Sequence, residues 1–406
     1  MSVQHSPKLL ISASLLVAGL SCLAAPAMAL DADDFATKLA AIVSQGGASL
    51  TFNEITGDGG TVVLKSTRFE AEAPSGRGQF DIGDVVFKGI EESGDGSYFV
   101  NLVEFEDVNV ISDGNSFSVA DIEINGLLVP ADLETIPLPG MIPAQSFSTG
   151  NISIEENGGQ IFGMSGIVAE NNYSDDFSSQ HMEMNGSGLT IDVSRVKDPK
   201  ARDAFASMGY QTLTGAFKMA VDWEAEGGKL DVSEYSFTLD DVGRLAMSMQ
   251  IAGYTTEVIK GMQQAQELAA ANPDPQAGQQ AMGFAMLGLV QQLNFVDASI
   301  RFEDQSLTEK ALAYAGKQQG ISGEQMAQAI KGMLPLMLGQ LRIPALQQQI
   351  SAAANIYLDN PGSITVSAKP GEPVSLPVIM GAGMGDPKAL VDLLNVDVTA
   401  NQPADQ

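Results

Sequence analysis

The sequence predicts an α+β protein: a long, mainly antiparallel, twisted β-sheet over the N-terminal two-thirds, with a C-terminal helical segment packing on its apolar face. Three observations carry this expectation. From Leu50 to about Gly253, short runs of alternating apolar and polar residues follow one another between Gly, Asn and Asp turns. Beyond Gly253 the apolar period lengthens to that of a helix. Strands followed by helices, rather than interleaved with them, indicate α+β and not a doubly wound α/β sheet.

Taken in order, residues 1–29 read as an export signal. Lys8 precedes an apolar run from Leu9 to Leu23, then come Pro26, the small-residue motif Ala27-Met28-Ala29 and the acidic Leu30-Asp31-Ala32-Asp33-Asp34. Cleavage is expected after Ala29, giving a periplasmic protein. No other apolar run reaches the roughly 18–20 residues needed to span a bilayer, so the mature chain is expected to be soluble. The single Cys, Cys22, lies in this segment. The remainder therefore has no disulfide, thiol nucleophile or thiolate metal site, and its own core must hold it together.

Residues 30–252 form the β-rich region. Its clearest part is a three-strand meander. Phe217, Met219, Val221 and Trp223 alternate with Lys218, Ala220, Asp222 and Glu224, and Glu226-Gly227-Gly228 turns the chain. Leu230 and Val232 follow, and Tyr235, Phe237 and Leu239 continue the same face after a one-residue slip that predicts a bulge near Ser233-Glu234. After Asp241-Val242-Gly243, Leu245, Met247, Met249 and Ile251 resume period two, as expected for a sheet with one dry and one wet face. The pattern Phe-x-apolar-x-Asp-apolar occurs at Phe80–Val85, Phe117–Ile122 and Phe237–Val242, with a degenerate relative at Phe105–Val108. Its aromatic is expected to point inward and its Asp to satisfy backbone donors at a strand end. Gly57-Asp58-Gly59-Gly60, Gly94-Asp95-Gly96 and Asp113-Gly114-Asn115 lack the ligand ladder of a calcium loop and read as hairpin turns. Pro130, Pro137, Pro139 and Pro143 mark a stiff connector or edge-covering loop.

Residues 253–406 form the α-rich region. Helices are expected over Tyr254–Ala271 and Gln276–Leu293, split by Asn272-Pro273-Asp274-Pro275. A strand follows over Val296–Phe302. Capping boxes at Ser306-Leu307-Thr308-Glu309 and Ser322-Gly323-Glu324-Gln325 open two further helices. After Leu341-Arg342-Ile343-Pro344, a helix over Ala345–Leu358 leads to a strand at Ser363–Lys369. Asp386-Pro387 supplies the N-cap and first position of a last helix, and Val396–Thr399 closes as a strand.

Chemistry-bearing residues are sparse. The net charge of −29, most of it before residue 250, repels nucleic acid and anionic headgroups, which excludes a nucleic-acid partner. His181 is the single histidine beyond the export segment and stands in the polar Ser178-Ser179-Gln180-His181-Met182, so no two-histidine metal site can form. Gly163-Met164-Ser165-Gly166-Ile167 lacks the second glycine of a nucleophile elbow. Pro377–Asp386 resembles a dinucleotide cradle but carries Asp386 where the third glycine belongs and leaves too little chain for the following unit, so it reads as a flexible connector. No catalytic, cofactor or metal residue is assigned, and the protein is not expected to be an enzyme. The candidate site is apolar: Phe217, Met219, Val221, Trp223, Tyr235, Phe237, Leu239, Met247 and Met249 on the dry sheet face, with Met333 and Met337 on a helix. Adaptable thioethers suit a surface that holds a lipid or other apolar small molecule between sheet and helices. An envelope module whose helices fill that face, and a hydrolase built from two facing carboxylates, are the alternatives.

Two stretches carry a resemblance. One runs from Gly209-Tyr210 to Gly253 and includes Tyr235-Ser236-Phe237-Thr238-Leu239-Asp240-Asp241-Val242-Gly243. The other joins Phe302–Thr308 with Pro373-Val374 to Leu394-Asn395-Val396. They resemble uncharacterised exported Gram-negative envelope proteins, and the strand-rich half is similar to AsmA-like and YdgA-like periplasmic proteins. The resemblance implies an envelope role connected with lipid and transfers no functional residue. The retained N-terminal anchor common among AsmA-like proteins is not expected here.

Overall fold

The computed structural model describes residues 30–403 apart from 74–75, 137–141, 271, 273 and 340–342. The export segment, Pro137, Pro139, Pro273 and Leu341-Arg342 lie outside the described residues. The fold is α+β: a long antiparallel sheet occupies the N-terminal two-thirds, and helices dominate the remainder.

Helix α1 (Ala32–Gln45) leads into β1 (Ser49–Thr51), β2 (Glu54–Asp58), β3 (Thr61–Ala73), β4 (Gly76–Glu92), β5 (Tyr98–Phe105), β6 (Val108–Ser112), β7 (Asn115–Val119) and β8 (Glu123–Val129). Next come β9 (Ser146–Ser148), β10 (Ile152–Glu156), β11 (Gly159–Met164), β12 (Gly166–Tyr173), β13 (Ser179–Asp192), α2 (Pro199–Ser207), β14 (Thr212–Glu224), β15 (Lys229–Leu239) and β16 (Gly243–Ala252). The C-terminal part comprises α3 (Thr256–Ala270), α4 (Pro275–Val290), β17 (Asn294–Asp304), α5 (Leu307–Gln319), α6 (Gly323–Leu338) and α7 (Pro344–Asp359). It ends with β18 (Ser363–Ala368), β19 (Val374–Ser375), α8 (Leu376–Gly385), α9 (Pro387–Leu393) and β20 (Val396–Ala400).

Every pairing is antiparallel. In space the main sheet runs β2-β3-β4-β5-β8-β9-β12-β13-β14-β15-β16-β17-β18-β20. β1 pairs with the other half of β3, and β6-β7-β10-β11 joins as a branch at β13. The bulge expected near Ser233-Glu234 is present: Ala220 faces Glu234 while Val221 faces Val232, leaving Ser233 unpaired in the ladder. That extra residue keeps Val232 and Tyr235 on one face. The three Gly-Asp segments are hairpin turns; in one, Asp113 and Gly114 both take positive φ, 50° and 80°.

Other expectations are corrected. The β-rich region holds two helices that its strand pattern conceals. α1 begins at Asp31, whose carboxylate accepts from the Asp34 N–H, and buries Phe35, Leu39 and Ile42 at helical spacing. α2 begins at Asp198-Pro199 in the same way. Pro377–Gly385 is helix α8 and not a connector, because Pro377 fits a first turn and its glycines take helical φ. Ser322 forms its capping box, but Ser306 turns its hydroxyl to the Asp241 carbonyl, and Asp304 caps the Thr308 N–H at 2.7 Å instead. Asp84 and Asp107 do accept backbone donors, from Ser66 and Asp121. Of the pattern's aromatics only Phe105 packs against a core; Phe80, Phe117 and Phe237 are all more than a third exposed.

Among the described residues, three clusters anchor the molecule. The largest sets α1 against β3, β4, β5 and β8, with Phe35 fully buried edge-on to Phe87 and Tyr98. Tyr98 Oη donates to Asp34 at 2.7 Å, and Lys38 pairs with Asp34 and donates to the Gly96 carbonyl at 2.9 Å. The Lys38 and Tyr98 hydrogen bonds hold the Asp34 carboxyl below its usual range, and burial with the Asp34 contact pushes the Tyr98 phenol up. A second cluster packs α2 near Tyr210, Leu213 and Val242. The third sets Ala353 and Tyr357 of α7 on Val398 and Ala400 of β20. Among the described residues no helix is long and apolar enough to cross a membrane.

Candidate functional site

Strict alternation places one residue in two on each face, and pairing aligns those residues into rows across the strands. One row is apolar across thirteen strands: Val62, Phe87, Val103, Ile124, Phe147, Ala169, Met184, Met219, Tyr235, Met247, Ile300, Val366 and Val398. At roughly 4.8 Å per pairing it extends about 58 Å. Over β13–β20 two flanking rows are equally apolar. Gly186, Phe217, Phe237, Leu245, Phe302, Ile364 and Ala400 lie on one side; Met182, Val221, Val232, Met249, Ala298, Ala368 and Val396 lie on the other. No position in these three rows over β13–β20 carries a charge.

The sheet residues named from the sequence all fall on this face. Phe217, Met219, Val221, Tyr235, Leu239 and Met247 are half-buried, Trp223 is buried, and Phe237 and Met249 are exposed. The face is buried at its two ends, under α1 and under α7, and open between them: Phe237, Leu245, Met249, Ile300 and Val366 are 38–53% exposed. Gln263 Nε2 of α3 donates to the Gln45 carbonyl at 2.8 Å, tying the helix that leaves β16 to the end of α1. Met333 and Met337 are not brought to the sheet. They sit exposed on α6, whose main neighbours are α5 and α7.

Aromatic contacts organise the centre of the face. Tyr235 meets Phe237 edge-on at 5.2 Å between centroids, and Phe217 lies 6.1 Å from Phe237. Gly186 lies directly beneath the Phe217 ring. A Cβ built there would come within 2.1 Å of the Phe217 ring, so the ring rests on bare β13 backbone. Sequence reasoning missed Gly186, although a glycine interrupting a strand pattern is a usable signal of such close approach. At the end of the face Trp223 Nε1 donates to the Tyr254 carbonyl at 2.9 Å, and burial pushes the Tyr254 phenol up.

The opposite face is polar and internally paired. Arg244 bonds Glu234 at 2.7 Å, Arg301 bonds Glu303 at 2.8 Å, and Gln250 donates to Asp231 at 3.1 Å. His181 belongs to this face. Its Nδ1 lies 2.7 Å from Asp222 and its Nε2 3.5 Å from Glu183, contacts led by Asp222 that raise its pKa. With its side chain 40% exposed and each carboxylate more so, this is a solvated ion-pair group. Among the described residues no group of three or more His, Cys, Asp and Glu side chains is arranged to hold a metal.

A family described only as "Uncharacterized protein" matches residues 236–401, from within β15 to just past β20. The match takes in most of the open part of the face. No curated protein matches the chain.

Proposed function

We propose that this is a non-enzymatic protein of the cell envelope, exported to the periplasm, that holds the acyl chains of lipid against the open face of β13–β18. The observation that supports this reading is the uninterrupted apolar row, roofed by helices at its ends and exposed between them. An acyl chain spans half of a hydrocarbon core roughly 30 Å thick, so one chain covers about three strands. The five exposed residues would each lose roughly half a side chain of apolar area to such a chain. That is on the order of 1 kcal/mol apiece before the cost of association. Met184, Met219, Met247 and Met249 line the path with side chains that can repack around different chains. The absence of charge from these rows leaves headgroups to water.

Trp223 is the single tryptophan and lies on this face, so it reports occupancy. Phosphatidylcholine with brominated acyl chains is expected to quench its emission, and L245D with I300D to weaken that quenching at least tenfold. Emission indifferent to brominated lipid, together with no lipid in extracts of protein purified from its native envelope, would remove the proposal. Fractionation of cells of the native host, following the intact N-terminus, tests export separately.

A further inference from the structure

Two helices depart from the rule that an outer helical face is polar. The chain is 17% charged, yet no charged residue occurs from Pro275 to Val296 or from Pro373 to Gly385, stretches that contain α4 and α8. α4 leans on α3 through Leu289, which a Cβ at Gly261 would strike at 2.7 Å. Its other side presents Phe284, 75% exposed, and Leu287. α8 presents Val378, Met380 and Met384, the last 90% exposed. Both helices leave one point of the sheet: Phe295 pairs with Val374, and the Leu376 N–H donates to the Leu293 carbonyl at 3.0 Å. Gln276, Gln279 and Gln280 keep the first two turns of α4 polar, but its last two turns and the whole of α8 are apolar on every side, a pattern normally buried in a core or in lipid.

We propose that α4 and α8 form a docking surface for a lipid bilayer with electrically neutral headgroups. Charge selects this occupant. A chain of net charge −29 is repelled by an anionic surface and by a second copy of itself, and neither helix offers a Lys or Arg to an anionic headgroup. A protein partner is expected to meet Trp, Tyr or Arg anchors, and the two helices have none. Length decides how they lie. Helices of 16 and 10 residues are too short to cross the hydrocarbon core. They therefore rest along the surface with Phe284, Leu287, Val378, Met380 and Met384 dipped among the outer acyl carbons. Its residues are not those of the open sheet face, and either proposal can fail without the other.

Vesicle flotation of the full-length mature chain tests this. Pure phosphatidylcholine vesicles are expected to carry the protein upward. Vesicles with a third phosphatidylglycerol should bind at least fivefold less at low salt and recover in 0.5 M salt. F284D with M384D should lower flotation at least tenfold while leaving circular dichroism and brominated-lipid quenching of Trp223 unchanged; L245D with I300D should leave flotation intact. No flotation on phosphatidylcholine, or a preference for anionic vesicles, overturns the proposal. So does a wild-type dimer that F284D with M384D converts to monomer, which would make the patch a contact between copies.

Discussion

Strands β3–β5 and β14–β16 are built on the same alternation and lie in the same sheet, yet their apolar faces have different fates. Over the first set, α1 delivers Phe35, Leu39 and Ile42 onto Val62, Phe87 and Val103, and the face is sealed. Over the second, the same row continues through Met219, Tyr235 and Met247, and Phe237 and Met249 meet water. The lesson is that an apolar strand face specifies a need for cover without specifying its source. In one region the chain supplies that cover; in the other we assign it to a ligand.

Truncating the sealed region should break the comparison most visibly. F35A removes a fully buried ring from the centre of the α1 cluster and is expected to cost about 3–5 kcal/mol, measured by urea unfolding. F237A sharpens the contrast. Its ring is 38% exposed and held mainly by Tyr235 and Phe217, so about 0.5–1.5 kcal/mol is expected. A loss at Phe237 equal to that at Phe35 would mean that the second face is sealed as well.

G186A probes the open side. In a packed core the added methyl would cost about 1–3 kcal/mol by overpacking. Here the Phe217 ring has unfilled space above it, and a cost under about 1 kcal/mol is expected, with a shift in ring chemical shifts on the open face. The smallest effects are electrostatic. Asp34 has a lowered pKa, so its contribution to docking α1 is present above the unfolded value near 3.9 and fades as pH falls through the folded one. D34N should flatten the acid limb of the stability profile. His181 has a raised pKa, so its pairing with Asp222 stabilises fully below about 6.5 and is lost as pH rises through the folded value. H181N should remove that alkaline-side slope, worth at most about 1 kcal/mol for an exposed pair, and leave Trp223 quenching untouched.

How much was legible varies with how local the cause is. The meander, its bulge at Ser233 and nearly all of the C-terminal elements follow from periods, caps and prolines within a few residues, and they appear where expected. Gly381, Gly383 and Gly385 argue locally against α8, and α1 announces its helical period only through Phe35, Leu39 and Ile42, behind an acidic start. The candidate face was legible strand by strand. Its extension to Val62 in one direction and Val398 in the other was not, and neither was the placement of Met333 and Met337 away from it.

The amino-acid order alone determined that one face of each central strand is apolar, that reactive side chains are scarce and that helices follow strands, because each is a property of neighbours in the chain. Tertiary structure decided that these faces align into a single row, that α1 and α7 close its ends, and that its centre stays open. Register between strands and the reach of a helix across them depend on residues tens of positions apart, whose alignment no local period records.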